Sequence, residues 1–274
     1  MGRRIGAGAI VAAALLGGAS SAQAQAGAQP RLQVQPGKWN VDYGKVRCSL
    51  SRRLGGPQSP VLILTSYLGR DEPEIILMRD GNEALPALPA KVEVVLGPSE
   101  TVAQGAVRSR RVQAGSVVSI QELGEGFIER VAASQTIRVQ ARGRRLAELR
   151  TPGAAAAVQA LKTCNDDLLR SWGVDPDAQV TRKARQIGGG ISDRDYPGVL
   201  IAAREKGPVV ARFTVDATGR VTQCGPVVSS GFPRLDGLTC DLITRRFLYE
   251  PALGPDGQPI ASITVRTVNW LLPE

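Results

Sequence analysis

The most reactive side chains in this sequence are its four cysteines, Cys48, Cys164, Cys224 and Cys240. No two of them have the Cys-x-x-Cys spacing of a redox or zinc site, and the sequence contains 0 His. An even number of scattered cysteines predicts two disulfides in a chain with an export signal, and residues 1–24 have the order of one. Of the possible connectivities we favour Cys48–Cys164 with Cys224–Cys240, because each bridge then lies within one predicted domain. We expect no metal site and no cofactor.

Two other pairs of side chains could be candidates for metal binding or catalysis, but each has a simpler structural interpretation. Asp166 and Asp167 could be imagined as a metal pair, but adjacent residues on a helix point apart, so a solvated helix face is favoured. Ser229 and Ser230 precede Gly231, and without histidine no Ser-His-Asp arrangement can form, so this stretch is interpreted as a turn into a helix. The Gly-x-Ser-x-Gly and Ser-x-x-Lys nucleophile motifs are also absent. We therefore predict that the protein is not an enzyme.

Arginines give the chain its formal net charge of +9, from 34 Lys+Arg against 25 Asp+Glu. Two clusters stand out, one at Arg108, Arg110 and Arg111 and the other at Arg142, Arg144 and Arg145. Such a balance favours anionic neighbours, for example phospholipid headgroups, lipopolysaccharide, peptidoglycan polymers or an acidic segment of a partner. The same arginines are equally well explained as charges that keep strand edges soluble. Both interpretations stay open, and no nucleic acid is expected for an exported protein.

The first residues have the order of an export signal. Arg3 and Arg4 precede an apolar run over residues 5–19, and Ala22-Gln23-Ala24 supplies the small-x-small pattern of a cleavage site. We predict a signal peptide over residues 1–24 and a soluble protein of the periplasm. The alternative is an uncleaved inner-membrane anchor, but the run is interrupted by glycine and falls short of the roughly 20 residues that span a bilayer.

The elements that carry these side chains fall into two predicted domains. The first, residues 37–173, contains short apolar, β-branched runs, many of them separated by turn-forming residues. The runs lie at residues 61–65, 75–78, 92–96, 117–120 and 137–139. Their spacing predicts an antiparallel sandwich or barrel. Thr151 and Pro152 predict the start of a closing helix that ends at Gly173 and whose Cys164 could reach back to Cys48.

Residues 174–194 have the composition of a linker, including the run Gly188-Gly189-Gly190. The second domain, residues 195–274, is predicted to be α+β. A short helix begins at Pro197, and two strands follow at residues 209–215 and 221–228. A second helix opens at Leu235 and carries Cys240 on its apolar side. A final strand is predicted over residues 260–271.

The order of these elements coincides with a series of specific residues. The series is Tyr196-Pro197, Ala203, Val209-x-x-x-Phe213-x-Val215-Asp216-x-x-Gly219-x-Val221, Ser229-Ser230-Gly231, Leu235-Asp236, Arg246-Phe247, Pro251-Ala252 and Gly257-x-Pro259. In this combination, roughly residues 195–270 resemble the TonB C-terminal domain, over just under a third of the chain. The resemblance implies two helices on a three-stranded antiparallel sheet. The N-terminal domain is not assigned to a family.

The resemblance also implies a function, because this domain in energy transducers binds the TonB box of outer-membrane receptors as an added strand. The corresponding edge strand would contain Ile260, Ser262, Thr264, Arg266, Val268 and Trp270, with the side chains of Val268 and Trp270 in the core. The expected partner is an outer-membrane TonB-dependent receptor or another envelope protein. The alternative is a structural envelope protein that self-associates, for instance as a homodimer, or holds an anionic cell-wall polymer.

The sequence also departs from a complete transducer that resembles TonB. Such a protein has a membrane anchor with a histidine for proton coupling, followed by a long Pro-rich spacer. This chain has 0 His, and its 18 Pro are scattered along the sequence. The predicted β-rich domain occupies the place of the spacer. We therefore expect partner binding, and the sequence gives no support for energy transduction by this polypeptide alone.

Overall fold

The computed structural model describes residues 37–69, 72–81, 89–97, 100–112 and 115–273. The predicted signal peptide and its cleavage site lie outside these residues. The described residues all belong to one compact unit. Among the described helices, none is both long and apolar enough to cross a bilayer.

The N-terminal part of the chain is a single antiparallel sheet of nine strands. The strands are β1 (Asn40–Tyr43), β2 (Cys48–Arg53), β3 (Val61–Tyr67), β4 (Glu72–Asp80), β5 (Lys91–Leu96), β6 (Glu100–Val112), β7 (Gly115–Gln121), β8 (Thr136–Ala141) and β9 (Arg144–Arg150). They are ordered β1-β2-β3-β4-β7-β6-β5-β8-β9 across the sheet. The alternation predicted from the sequence is therefore present, but in one continuous curled sheet rather than in two stacked sheets.

Two helices cover the apolar side of this sheet. Helix α1 (Phe127–Ala133) contacts α2 (Ala154–Ser171), and α2 packs on β1 and β2. Because Gly153 adopts a left-handed conformation with φ 76°, α2 begins at Ala154, slightly later than the predicted start at Thr151 and Pro152. A disulfide joins Cys48 at the start of β2 to Cys164 on α2.

The two ends of the curled sheet come close to each other at Pro152. The indole N–H of Trp39 and the guanidinium of Arg52 each donate a hydrogen bond of 2.9 Å to the carbonyl oxygen of Pro152. Trp39 precedes β1 and Pro152 follows β9, so these bonds connect the beginning of the N-terminal fold to its end. The Cys48–Cys164 disulfide makes the same connection covalently.

The C-terminal part of the chain contains a smaller sheet with two helices. Strands β11 (Gly207–Val215), β12 (Val221–Val228) and β16 (Ser262–Trp270) form an antiparallel sheet in the order β12-β11-β16. Helices α3 (Gly198–Ala202) and α4 (Pro233–Arg246) pack on one face of it. The second disulfide, Cys224–Cys240, joins β12 to α4. Both disulfides have the pairing that the sequence favoured.

Short strands form two separate two-stranded sheets beside this sheet, and one of them involves the predicted linker. Strand β10 (Arg185–Gly188) pairs with β13 (Leu248–Glu250), and β14 (Ala252–Leu253) pairs with β15 (Pro259–Ile260). Within the linker, the amide of Thr181 also donates to the carbonyl of Leu253 at 2.9 Å. A Cβ on Gly189 would overlap the carbonyl oxygen of Arg246, which explains a glycine at that position. Residues 181–189 therefore pack against the C-terminal fold.

Candidate functional site

The outer edge of β16 is the candidate functional site. Strand β11 lies in the centre of the three-stranded sheet and pairs with β16 in continuous register, from Gly207 opposite Trp270 to Val215 opposite Ser262. On its other side, β16 has no neighbouring strand in the described part of the chain. Edge strands of this kind present main-chain N–H and C=O groups that can pair with a further strand.

The backbone groups that face this edge can be assigned from one close contact. Gly69, in the loop after β3, lies against the carbonyl group of Val265, so that carbonyl points away from β11. The N–H and C=O of one residue point to the same side in an antiparallel strand, and the side alternates along the chain. The groups of Ile263, Val265, Thr267 and Asn269 therefore face the open edge. No described residue outside the sheet forms a backbone hydrogen bond with β16.

The opposite edge of the sheet, on β12, is less suited to strand addition. Pro226 has no N–H to donate, and proline on an edge strand obstructs pairing with a further strand. The register between β11 and β12 also shifts at two places, between Val210 and Ala211 and between Arg212 and Thr214. Such irregularities interrupt the even spacing of ladder groups. By contrast, the β11–β16 register runs without a shift.

Side chains on the helix-facing side of β16 position the strand. Val268 and Trp270 are buried against Val209, Leu235 and Leu242, as the sequence predicted for these two side chains. Trp270 also donates its indole N–H to the hydroxyl of Thr239 on α4 at 2.9 Å. These contacts keep β16 against the helices through its side chains. They do not involve the main-chain groups that face outward.

The predicted edge residues are not all part of this strand. Ser262, Thr264, Arg266, Val268 and Trp270 lie on β16, and the register pairs them with alternate residues of β11. Ile260 lies in β15, where it pairs with Ala252 in a separate hairpin. Because the outward main-chain groups belong to the intervening residues, the hydrogen-bonding groups that face the open edge are those of Ile263, Val265, Thr267 and Asn269.

The second face of the small sheet packs against the N-terminal fold. Val210 and Val265 form a buried cluster with Trp172, which follows α2. Leu68, in the loop after β3, packs against the same cluster. Arg212 adds polar contacts, since its Nε and Nη2 each donate to the carbonyl of Gly173 at 3.3 Å. The sheet that carries the candidate edge is thus enclosed by helices on one face and by the N-terminal fold on the other.

One basic side chain lies beside the edge. The guanidinium of Arg266 stands over the ring of Phe247, 5.5 Å from its centroid, and donates to the carbonyl of Gly69 at 3.4 Å. Nearby, burial raises the pKa of Tyr249 to about 12, although the positive charge of Arg266 acts in the opposite direction. The Tyr249 hydroxyl is buried and has no hydrogen-bond partner among the described residues. The ring of Phe247 and the carbonyl of Gly69 thus hold the guanidinium of Arg266 beside the edge.

The residues considered for catalysis have structural roles. The carboxylate of Asp236 accepts hydrogen bonds from the hydroxyls of Ser229 and Ser230, at 2.5 Å and 2.8 Å, and from the amide of Ser230 at 2.9 Å. Asp236 lies in the first turn of α4, so the two serines form the turn that leads into this helix. Asp167 pairs with Arg170 on the surface of α2 at 3.3 Å. Among the described residues, no group of His, Cys, Asp and Glu is arranged to hold a metal ion.

The arginine clusters lie on the large sheet. Arg144 and Arg145 belong to β9, the last strand in the order, and Arg142 lies in the turn before it. Arg145 forms an ion pair with Glu148 on the same strand. Arg108, Arg110 and Arg111 lie on β6, but the side chains of Arg110 and Arg111 are outside the described part of the structure. Arginine on the edge strand β9 agrees with the protection of a strand edge.

Comparison with protein families identifies the small sheet. Residues 192–272 match the model of the Gram-negative bacterial TonB protein C-terminal family. This segment is a TonB C-terminal domain. The match confirms the resemblance in the sequence and includes α3, β11, β12, α4 and β16. A search of curated proteins found no match to the chain.

For the TonB C-terminal domain, sequence reasoning located the edge strand but not the upstream residues that contact its sheet. The edge strand and its buried residues lie inside the matched segment. Gly69 and Trp172, which contact the sheet of this domain, lie far upstream in the N-terminal fold. Neither residue belongs to a motif, and 197 positions separate Gly69 from Arg266. No signal in the sequence indicates these contacts.

Proposed function

We propose that this protein binds an extended segment of an envelope partner in the periplasm, by addition of that segment as a strand to the outer edge of β16. The observation that carries the proposal is the row of outward main-chain groups on Ile263, Val265, Thr267 and Asn269 within a TonB C-terminal domain. In strand addition, main-chain hydrogen bonds provide affinity, and alternate side-chain contacts provide specificity.

The partner class that fits best is the N-terminal segment of an outer-membrane TonB-dependent receptor. The matched family is that of the TonB protein C-terminal domain, so the process we propose is TonB-dependent transport. The edge supports this choice, because it is long enough for several ladder bonds and its register with β11 has no irregularity. An added strand would continue the sheet while α3 and α4 keep their positions on its face.

The test is a titration of synthetic peptides into the full exported chain. The peptides correspond to the N-terminal segments of TonB-dependent receptors from the same bacterium, and binding is measured by fluorescence anisotropy. Thr267→Pro should abolish binding, because it deletes an outward N–H and places a ring at the edge. Thr267→Ala keeps the main chain intact and should bind within about twofold of wild type.

A second proline variant separates loss of binding from loss of folding. Asn269 has an exposed side chain and an outward N–H, so Asn269→Pro should also weaken binding with little effect on the core. Circular dichroism verifies that each variant is folded. If folded proline variants bind as well as wild type, addition at this edge is wrong. If wild type binds none of the peptides, receptor recognition is wrong, and a structural role in the envelope becomes the better explanation.

A further inference from the structure

We propose that Leu68 and Gly69, the first two residues of the loop after β3, form an intramolecular cover on the edge of β16, which a partner must displace before it can pair along the whole strand. The inference rests on the proposed function, because it concerns the regulation of the same edge. Leu68 and Gly69 directly follow β3 and belong to the N-terminal fold, whereas the edge belongs to the TonB C-terminal domain.

The contact between Gly69 and Val265 lies in the middle of the edge. A Cβ built on Gly69 would overlap the carbonyl oxygen of Val265 and lie 2.6 Å from its carbonyl carbon. Only glycine allows the two backbones to approach so closely. Val265 has outward-facing neighbours on both sides, Ile263 and Thr267. An added strand that bonds to all of them would have to occupy the position of Gly69.

Two further contacts hold the loop on the edge. Arg266 donates to the carbonyl of Gly69 at 3.4 Å, which is a long and therefore weak hydrogen bond. Leu68 packs against the cluster that contains Trp172, Val210 and Val265. Among the described contacts, the cover therefore includes side-chain packing by Leu68, the close backbone approach of Gly69 and a long hydrogen bond from Arg266. It contains no ladder of paired strands between the described loop residues and β16.

A partner peptide could replace the cover, because strand pairing provides main-chain hydrogen bonds to β16. A peptide that pairs with β16 would form regular main-chain hydrogen bonds, whereas the loop satisfies none of the outward amides through a described backbone bond. The loop nevertheless occupies the space that the peptide needs. When a competent state is only partly populated, the apparent affinity falls by the populated fraction. The cover should therefore weaken binding without preventing it.

The structure offers a matched pair of variants for the test. Gly69→Ala places a methyl group on the Val265 carbonyl and strains a backbone with φ +82°, so it should push the loop from the edge. Gly81→Ala imposes the same kind of strain at φ +89°, but a Cβ there has no atom within 4 Å. Should Gly69→Ala fold poorly, Gly69→Asn gives the same overlap, and asparagine tolerates positive φ better.

The measurement uses the receptor peptides and the full exported chain described above. Gly69→Ala should bind about tenfold more tightly than wild type, and Gly81→Ala should bind as wild type does. Hydrogen exchange over residues 262–270 should be faster in Gly69→Ala than in Gly81→Ala. Thr267→Pro added to Gly69→Ala should abolish binding, which shows that the gain arises at this edge.

The possible failures are distinguishable. If wild type, Gly69→Ala and Gly81→Ala bind the peptides equally and the proline variant does not, the proposed function stands and the cover is wrong. If Gly81→Ala gains as much as Gly69→Ala, the gain comes from strain in the N-terminal fold, and the cover is again wrong. If none of the variants binds, the proposed function fails, and the regulatory role of the loop fails with it.

Discussion

Trp270 donates its indole N–H to the hydroxyl of Thr239, 2.9 Å away, and so joins the end of β16 to the middle of α4. The Thr239 hydroxyl in turn donates to the carbonyl of Leu235 at 2.7 Å. The ring of Trp270 also lies against Tyr196, with centroids 5.0 Å apart and planes tilted by 60°. All these side chains are buried. The position of the candidate binding edge relative to the helices depends on this contact.

Substitutions at Trp270 should separate the contribution of its hydrogen bond to stability from the contribution of its packing. Trp270→Phe keeps an aromatic ring but removes the donor to Thr239, and it should lower the free energy of unfolding by about 1–3 kcal/mol. Trp270→Ala should cost about 3–5 kcal/mol, because it also leaves a cavity. Urea unfolding followed by circular dichroism measures both values. Asn269→Ala, at the exposed neighbouring position, is the control and should change stability by less than about 0.5 kcal/mol.

The two disulfides should contribute unequally to stability. Cys48 and Cys164 are 116 positions apart, whereas Cys224 and Cys240 are 16 apart. In the chain-entropy model, removal of the disulfide that closes the longer loop lowers the free energy of unfolding by about 4.7 kcal/mol. Removal of the disulfide that closes the shorter loop lowers it by about 3 kcal/mol. Paired serine variants, compared by denaturant unfolding, should follow this order. The opposite order would mean that loop length does not determine their contributions.

Tyr249 should make the C-terminal fold sensitive to alkaline pH. Burial raises the pKa of its phenol to about 12, above its ordinary value of 10.0. Because the pKa of Tyr249 is higher in the folded state, the neutral phenol contributes fully to the free energy of unfolding below pH 10. This contribution is lost as the pH rises from 10 to 12. In Tyr249→Phe, the free energy of unfolding should fall less steeply between pH 10 and 12, as measured by urea unfolding. At neutral pH the variant should be at least as stable as wild type, since it removes a buried hydroxyl that has no hydrogen-bond partner in the described part of the chain.

Loss of the Asp195 carboxylate charge should make the C-terminal fold less stable in acid. Its carboxylate accepts a hydrogen bond from the amide of Ser192 at 2.8 Å and another from Arg246 at 2.6 Å. These bonds hold the pKa of Asp195 below its ordinary value of 3.8. A lowered folded pKa means that the contribution is present above about pH 4 and disappears as the pH falls through the folded value.

Asp195→Asn tests this contribution. The variant should lose on the order of 1 kcal/mol at pH 7, and the difference from wild type should vanish at low pH. Asp193→Asn changes an exposed carboxylate two residues away and is the matched control. Thermal unfolding over the acid range gives both comparisons. A constant difference between Asp195→Asn and wild type at all pH values would contradict a role for the carboxylate charge.

Local patterns in the sequence predicted much of the small sheet. The return strand was predicted at residues 221–228, and the structure places β12 at Val221–Val228. The buried side chains of Val268 and Trp270 followed from alternation, and α4 from its apolar stripe. These features depend on neighbours within a few positions or one hairpin. Sequence periodicity reports interactions of that range.

Features that depend on distant pairing were not predictable in the same way. Alternation in the N-terminal region indicates strands, but it does not determine whether they form one sheet or two. The break between Ile260 and Ser262 is set by a hairpin with Ala252 and Leu253, so the final strand begins later than the apolar run suggests. The contact between Gly69 and Val265 joins the N-terminal fold to the C-terminal one, and the local sequence around neither residue predicts it.

The pairing of Arg185–Gly188 with Leu248–Glu250 determines where the chain can be divided experimentally. The family match begins at residue 192, so a fragment cut there would lose β10 and expose the edge of β13. Even a fragment that begins at Thr181 would leave Val210 and Val265 without Trp172, and an apolar surface would face water. Such a fragment should associate with itself, so a dimer found with the isolated domain would reflect the cut.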